Sequence, residues 1–197
     1  MGFSTILDIL ISIAIGGVLL LILWKLDDSA TQNLINNGQE VVLQENLKIV
    51  ATILEHDFRK IGYCSDYTKI PATAIIQADS SSITFLSDDK DIGTLNQIKY
   101  YLGPPSELAS TPNPRDRFLY RVIDNVVPKE ANMGVTGFSL VYYDALGQNI
   151  STPVANPSTI ASVEINLTVE DSYAYDSKYS QAFWRQIRVA SKNLHKR

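Results

Sequence analysis

Cysteine is nearly absent, with Cys64 the only one in 197 residues. A single thiol closes no internal disulfide, and no neighbouring metal-ligand pattern supports zinc. Basic excess is absent too: 17 Lys and Arg stand against 21 Asp and Glu, a net charge of −4. That balance disfavours a nucleic-acid binder. There is no internal repeat and no low-complexity tract, which excludes collagen-like and disordered chains. What remains, at 45% hydrophobic and 19% charged residues, is enough apolar material for one domain with a core. The apolar residues are unevenly spread. Of the nineteen positions from Ile6 to Trp24, fifteen are apolar and only Asp8 is charged.

A helix of nineteen residues reaches about 28 Å, close to the roughly 30 Å hydrocarbon core of a bilayer. Trp24 and Lys25 follow at once, residue types that favour a membrane interface. No Lys or Arg precedes the run, and Trp24-Lys25-Leu26-Asp27-Asp28 is no small-x-small cleavage site. A retained membrane segment is therefore a better expectation than a secretory signal peptide. Asp8 sits in the first turns, where the positive end of the helix dipole favours an anion. A carboxylate in mid-bilayer costs roughly 2.5–3.5 kcal/mol. Two readings of Asp8 follow: it rests at the headgroup level, or it pairs with a cation such as an N-terminal amine, including that of a neighbouring subunit.

The helical pattern continues past Asp27-Asp28-Ser29, where a second helix has a possible cap. Leu43, Leu47, Val50, Leu54, Phe58 and Ile61 recur at steps of four and three, one face of an amphipathic helix. No proline forces a break, and Arg59, Lys60 and Gly62 suit a helix C-terminus. A helix unbroken from Ser4 to Ile61 is about 87 Å long, too long for a compact domain of this size, so part of it is expected to project. The remainder reads as strands. Short alternations occur at Ile83–Phe85, Ile98–Tyr100 and Phe118–Val122. The clearest runs from Val163 to Glu170, expected to have one face on a core and one toward water. Phe138–Tyr143 leads into a turn at Asp144–Gly147, and Phe183–Ala190 supplies a last strand. The pattern predicts an α+β chain: residues 1–26 a transmembrane helical segment, 27–62 its amphipathic continuation, and 63–197 a β-rich globular part. The helix is expected to pack on one antiparallel sheet.

Three stretches in this layout resemble the type IV pilin and pseudopilin superfamily, especially PilW-type minor pilins and the J-type minor pseudopilin of type II secretion. Gly2-Phe3-Ser4-Thr5-Ile6-Leu7-Asp8, leading into the apolar helix, is similar to a processed prepilin start. Leu54-Glu55-His56-Asp57-Phe58-Arg59-Lys60-Ile61-Gly62-Tyr63 is similar to the Asp-hydrophobic-Arg and Gly-Tyr that close the long helix in PilW-like chains. The segment from Phe183 to Leu194 is like their final strand and Asn-Leu finish. The resemblance implies a pilin-like fold and a non-catalytic structural subunit of a pilus or secretion pseudopilus. It implies prepilin-peptidase processing at Gly2–Phe3 and an assembly role for Asp8, neutralising the terminal amine of an adjacent subunit. Asp57, Arg59 and Gly62 are the helix-end motif. The implied partners are other pilin or pseudopilin subunits, the assembly platform and the bacterial inner membrane, with the globular part in the periplasm and no nucleic acid. Two departures stand out. Counted from Phe3, position five is Leu7 where the family has Glu, with Asp8 one position later, and no basic leader precedes Gly2. The other reading is accordingly an uncleaved, membrane-anchored periplasmic binding domain.

Catalytic, cofactor and metal chemistry find no support. Glu55, His56 and Asp57 are consecutive, about 100° apart around a helix, and do not chelate one ion together. They are expected to form a solvated helix end, with Glu55 and Arg59 in the favourable order for an exposed ion pair. Asp88-Asp89-Lys90-Asp91 and Asp171–Asp176 lack the spaced oxygens and glycine of an EF-hand loop and read as solvated turns. Cys64 reads as a small buried residue just past the helix cap. The tyrosine pairs Tyr100-Tyr101 and Tyr142-Tyr143 read as cross-strand packing before contact surface.

Overall fold

The computed structural model describes residues 2–126, 133–171 and 179–189. One helix, α1, runs from Gly2 to Arg59 without interruption at Asp27-Asp28-Ser29 or Gly38. Asp28 caps no second helix; its carboxylate accepts from Gln32 Nε2 one turn on, at 2.9 Å. The chain divides into two compact units, Met1–Val41 and Val42–Arg197. The division falls where the amphipathic stripe begins, since Leu43 is the first helical residue buried in the second unit's core.

That core joins α1 to two antiparallel four-stranded sheets, where the alternation predicted one. The first is a meander of β1 (Ile75–Ala78), β2 (Ser82–Ser87), β3 (Asn96–Leu102) and β4 (Leu119–Ile123), in that order. The second contains β5 (Val135–Tyr143), β6 (Asn149–Ile150), β7 (Ser162–Glu170) and β8 (Gln181–Val189), in the order β6-β5-β7-β8. Leu43, Leu47, Val50, Leu54 and Phe58 pack in one cluster with Ile83, Phe85 and Ile98 of the first sheet. Val163, Ile165, Leu167 and Val169, the odd-numbered face of β7, complete it from the second. The Phe58 ring meets Phe85 edge-on, with centroids 5.7 Å apart.

The sheets are stitched by main-chain groups: Arg117 N–H donates to Val135 O at 2.9 Å and Leu140 N–H to Ser80 O at 2.8 Å. A helix covering a single sheet leaves no face for the apolar side of β7, which is why the second sheet joins the same core. The other face of β7 is not open to water throughout as its alternation predicts: Asn166 and Thr168 are half-buried, while Ser162 at one end is buried. Glu164 and Glu170 are both buried. Glu164 accepts from Tyr143 Oη at 2.9 Å, and Glu170 from Arg115 Nε and Gln181 Nε2, both at 2.9 Å.

The hairpin turn forms as expected. Asp144 Oδ1 accepts from the N–H of Leu146 and of Gln148, and Gly147 takes a φ of 78°, a left-handed conformation that glycine adopts without strain. Tyrosine packing also holds: Tyr100 and Tyr142 are buried, and Tyr101 stacks across the ladder on Tyr120 with centroids 4.8 Å apart.

Candidate functional site

Two places along α1 concentrate the unusual chemistry. The first is its apolar start. All the large apolar side chains from Ile6 to Leu26 are exposed, Leu20 and Trp24 by 69% and 72%. This is one helix long and apolar enough to cross a membrane, with none of its apolar stretch covered by the rest of the chain. Residues in such numbers are not left in water by a stable fold, since each fully exposed Leu or Ile forgoes about 1.5–3 kcal/mol of burial. Asp8 is exposed among them, and its carboxylate has no partner among the described residues; only its main-chain oxygen is used, accepting from Ser12 Oγ at 2.7 Å. Gly2 and Phe3 are helical, and Met1 lies outside the described residues.

The second place is the end of α1, where the predicted motif separates into two roles. Arg59 faces outward and pairs with Glu55, Nη2 to Oε1 at 2.6 Å, the exposed i,i+4 pair expected from the sequence. Asp57 turns inward and is 4% exposed, which corrects the expectation of a solvated Glu55-His56-Asp57 end. The 100° step that keeps these three from sharing an ion also carries Asp57 to the buried side while His56 stays exposed. There the Asp57 carboxylate accepts from Tyr100 Oη at 2.6 Å, from Arg121 Nε, and from His56 Nδ1 at 3.1 Å. Arg121 also donates to Asp89 through Nη2 and to Tyr100 Oη.

Burial pushes the Asp57 carboxyl up, but the donors from Arg121 and Tyr100 outweigh it and hold it below the ordinary carboxylate range. Burial and the adjacent Asp57 charge both push the Tyr100 hydroxyl well above its usual value. These groups fix the helix to two strands. Gly62 ends the helix with a φ of 73° and donates its N–H to Leu86 O of β2 at 2.8 Å. The left-handed cap thus directs the chain onto the first sheet.

The acidic turn at Asp88 is also corrected. Asp88 is buried, and its carboxylate accepts from Ser65 Oγ at 2.6 Å and from the N–H groups of Ser65, Ile92 and Gly93. The Ser65 hydroxyl and these amides hold its carboxyl well below the usual range. With its lone pairs taken by donors, Asp88 organises a loop and offers nothing to a cation. Among the described residues no His, Cys, Asp and Glu group is placed to hold a metal. Cys64 is buried and free, as expected. The second acidic turn lies outside the described residues beyond Asp171.

Sequence reasoning missed Arg121 and one surface. Val42, Ile49 and Ile53 are 56%, 40% and 45% exposed. Seven and four residues apart, they form a second apolar stripe about 120° around α1 from the buried one. Their spacing was the available signal. No protein-family model, curated protein or solved structure matches this chain.

Proposed function

We propose that this protein is a non-catalytic structural subunit of a type IV pilus or a type II secretion pseudopilus, with a pilin-like fold. Before assembly it is held in the bacterial inner membrane by the Ile6–Trp24 segment, with the β-rich unit in the periplasm. The observation that carries this reading is the division of labour along one helix. Its first part exposes an unbroken apolar surface, and its last part is the central element of an antiparallel β core. Such a helix serves two environments in turn: a bilayer while the subunit waits, and the helices of other subunits once it is assembled. The partners are other pilin or pseudopilin subunits, the prepilin peptidase and the assembly platform. Asp8, an acid whose carboxylate has no partner among the described residues, is assigned to the terminal amine of a neighbouring subunit.

N-terminal sequencing of the native protein tests this. A start at Phe3 with a methylated amine is the expected result; a native chain that keeps Met1 overturns processing and, with it, filament assembly. One observation favours the second reading, an uncleaved membrane-anchored periplasmic binding domain: counted from Phe3, the acid stands at position six, not five. Under that reading Met1 is retained and the protein is absent from sheared filaments.

A further inference from the structure

A cleft of about 570 Å³ opens where β6 separates from β5. Beyond the Tyr142–Ile150 and Tyr143–Asn149 pairs the two strands part. Ser80, Ser139, Asn149, Ser151 and Thr152 line the gap with Leu140, Val141 and Ile150. Its walls come from three separate stretches of chain, and main-chain hydrogen bonds fix them to one another. Leu140 N–H donates to Ser80 O at 2.8 Å and Val154 N–H to Ala78 O at 2.9 Å, while Tyr142 Oη donates to Asp79 O at 2.8 Å. The cleft is therefore preformed, and little ordering cost attends its occupation.

The lining has two chemical properties. First, it carries no charged side chain. A phosphate, a carboxylate or a cation would lose its hydration there without gaining a counter-charge. Second, its five polar side chains are exposed, and none is hydrogen-bonded to another described residue. Elsewhere hydroxyls and amides are committed to their own fold: Ser87 Oγ to Lys60 O, Asn113 Nδ2 to Glu170, and Ser158 Oγ to Asn156. Hydroxyl and carboxamide groups both donate and accept, as the hydroxyls of a sugar do. Val141 and Ile150 add an apolar patch suited to the C–H face of a sugar ring, and the volume is within the usual range for small-molecule sites.

We propose that this cleft is a binding site for a neutral saccharide. It contains no aromatic platform and no charge, so binding is weak for one site and gains strength when several subunits present it together. Because the cleft lies wholly within the Val42–Arg197 unit, the proposal stands whether or not the chain assembles into filaments.

The test uses the full chain in phosphatidylcholine nanodiscs, free of sugar-headed detergents. Saturation-transfer NMR is recorded with glucose, galactose, N-acetylglucosamine and lactose, and with sialic acid as the charged probe. Methyl-labelled Val141 and Ile150 report the location. At least one neutral sugar is expected to show transfer and to shift both methyl signals at millimolar concentration, with sialic acid inactive. Ser139→Ala and Asn149→Ala each remove one hydrogen-bonding group from an exposed position and are expected to weaken that binding about fivefold. Three results overturn the proposal. One is no transfer from any of the neutral sugars at tens of millimolar. Another is binding that leaves the Val141 and Ile150 signals unmoved. The third is shifts produced by sialic acid or by an uncharged extended peptide but by none of the sugars.

Discussion

Asp57 and Arg121 form a buried ion pair that ties α1 to a strand, and they lie 64 residues apart in sequence. Removing one member of such a pair leaves a desolvated charge, so Asp57→Ala is expected to destabilise the folded unit by roughly 3 kcal/mol. Replacing both with apolar residues, Asp57→Leu with Arg121→Met, should cost less than the sum of the single changes, because the buried Asp57 charge is removed with its cation and only the more exposed Asp89 loses a partner. Denaturant unfolding of the four proteins checks this; strict additivity would show that the two groups are independent. The same contacts set an acid limit. The folded-state pKa of Asp57 is depressed, so its contribution is fully present above the unfolded value of about 3.9 and is lost as pH falls through the lower native value. Asp88 acts with the same sign. The thermal midpoint should therefore drop below about pH 4. In Asp57→Asn the midpoint should be lower at neutral pH and fall less steeply in acid, as circular dichroism melts would record.

At the scale of the element, α1 carries two apolar stripes with opposite fates. Leu43, Leu47, Val50, Leu54 and Phe58 are buried, whereas Val42, Ile49 and Ile53 stay exposed. Ile49→Gln with Ile53→Gln should therefore change the melting temperature of the unit by little, since surface substitutions of this kind usually fall within about 0.5 kcal/mol. If the second stripe contacts neighbouring subunits, the same double change should sharply reduce recovery of the protein in sheared filaments. Recovery equal to wild type would remove the stripe from the interface. The helix was legible in the sequence because a 3.6-residue period over Leu43–Ile61 is a long, redundant signal, as was the glycine at its end. Strands β7 and β5 were legible for the same reason at period two. β1, at four residues, and β6, at two, carry too few positions for any period to show. The division into two sheets was not legible either, since alternation says which residues share a face but not which strands pair. Arg121 was hidden in a plain strand pattern because its partner is distant in sequence, and nothing local marks an arginine that will be half-covered.

For the whole molecule, the chain divides into the units Met1–Val41 and Val42–Arg197, and among the described residues the buried core begins at Leu43. Removing residues 1–26 should leave a soluble fragment that melts at the temperature of the full chain. Its net charge stays at −4, because Asp8 and Lys25 leave together and 16 basic residues then face 20 acidic ones. An insoluble fragment would place part of the apolar start within the folded core. Asp8→Ala separates the two environments proposed for this segment. In the bilayer the carboxylate costs roughly 2.5–3.5 kcal/mol at mid-depth, so the variant should partition into membranes at least as well as wild type. In the proposed filament the same carboxylate is assigned to the amine of a neighbour, and on that assignment its loss leaves a buried positive charge unpaired, a cost of about 3–5 kcal/mol per subunit. The variant should consequently accumulate in the inner membrane and disappear from sheared filaments, with the melting temperature of its globular unit unchanged. Incorporation at the wild-type level would show that Asp8 has no amine partner, and would favour the reading in which it rests at the headgroup level of a permanent anchor.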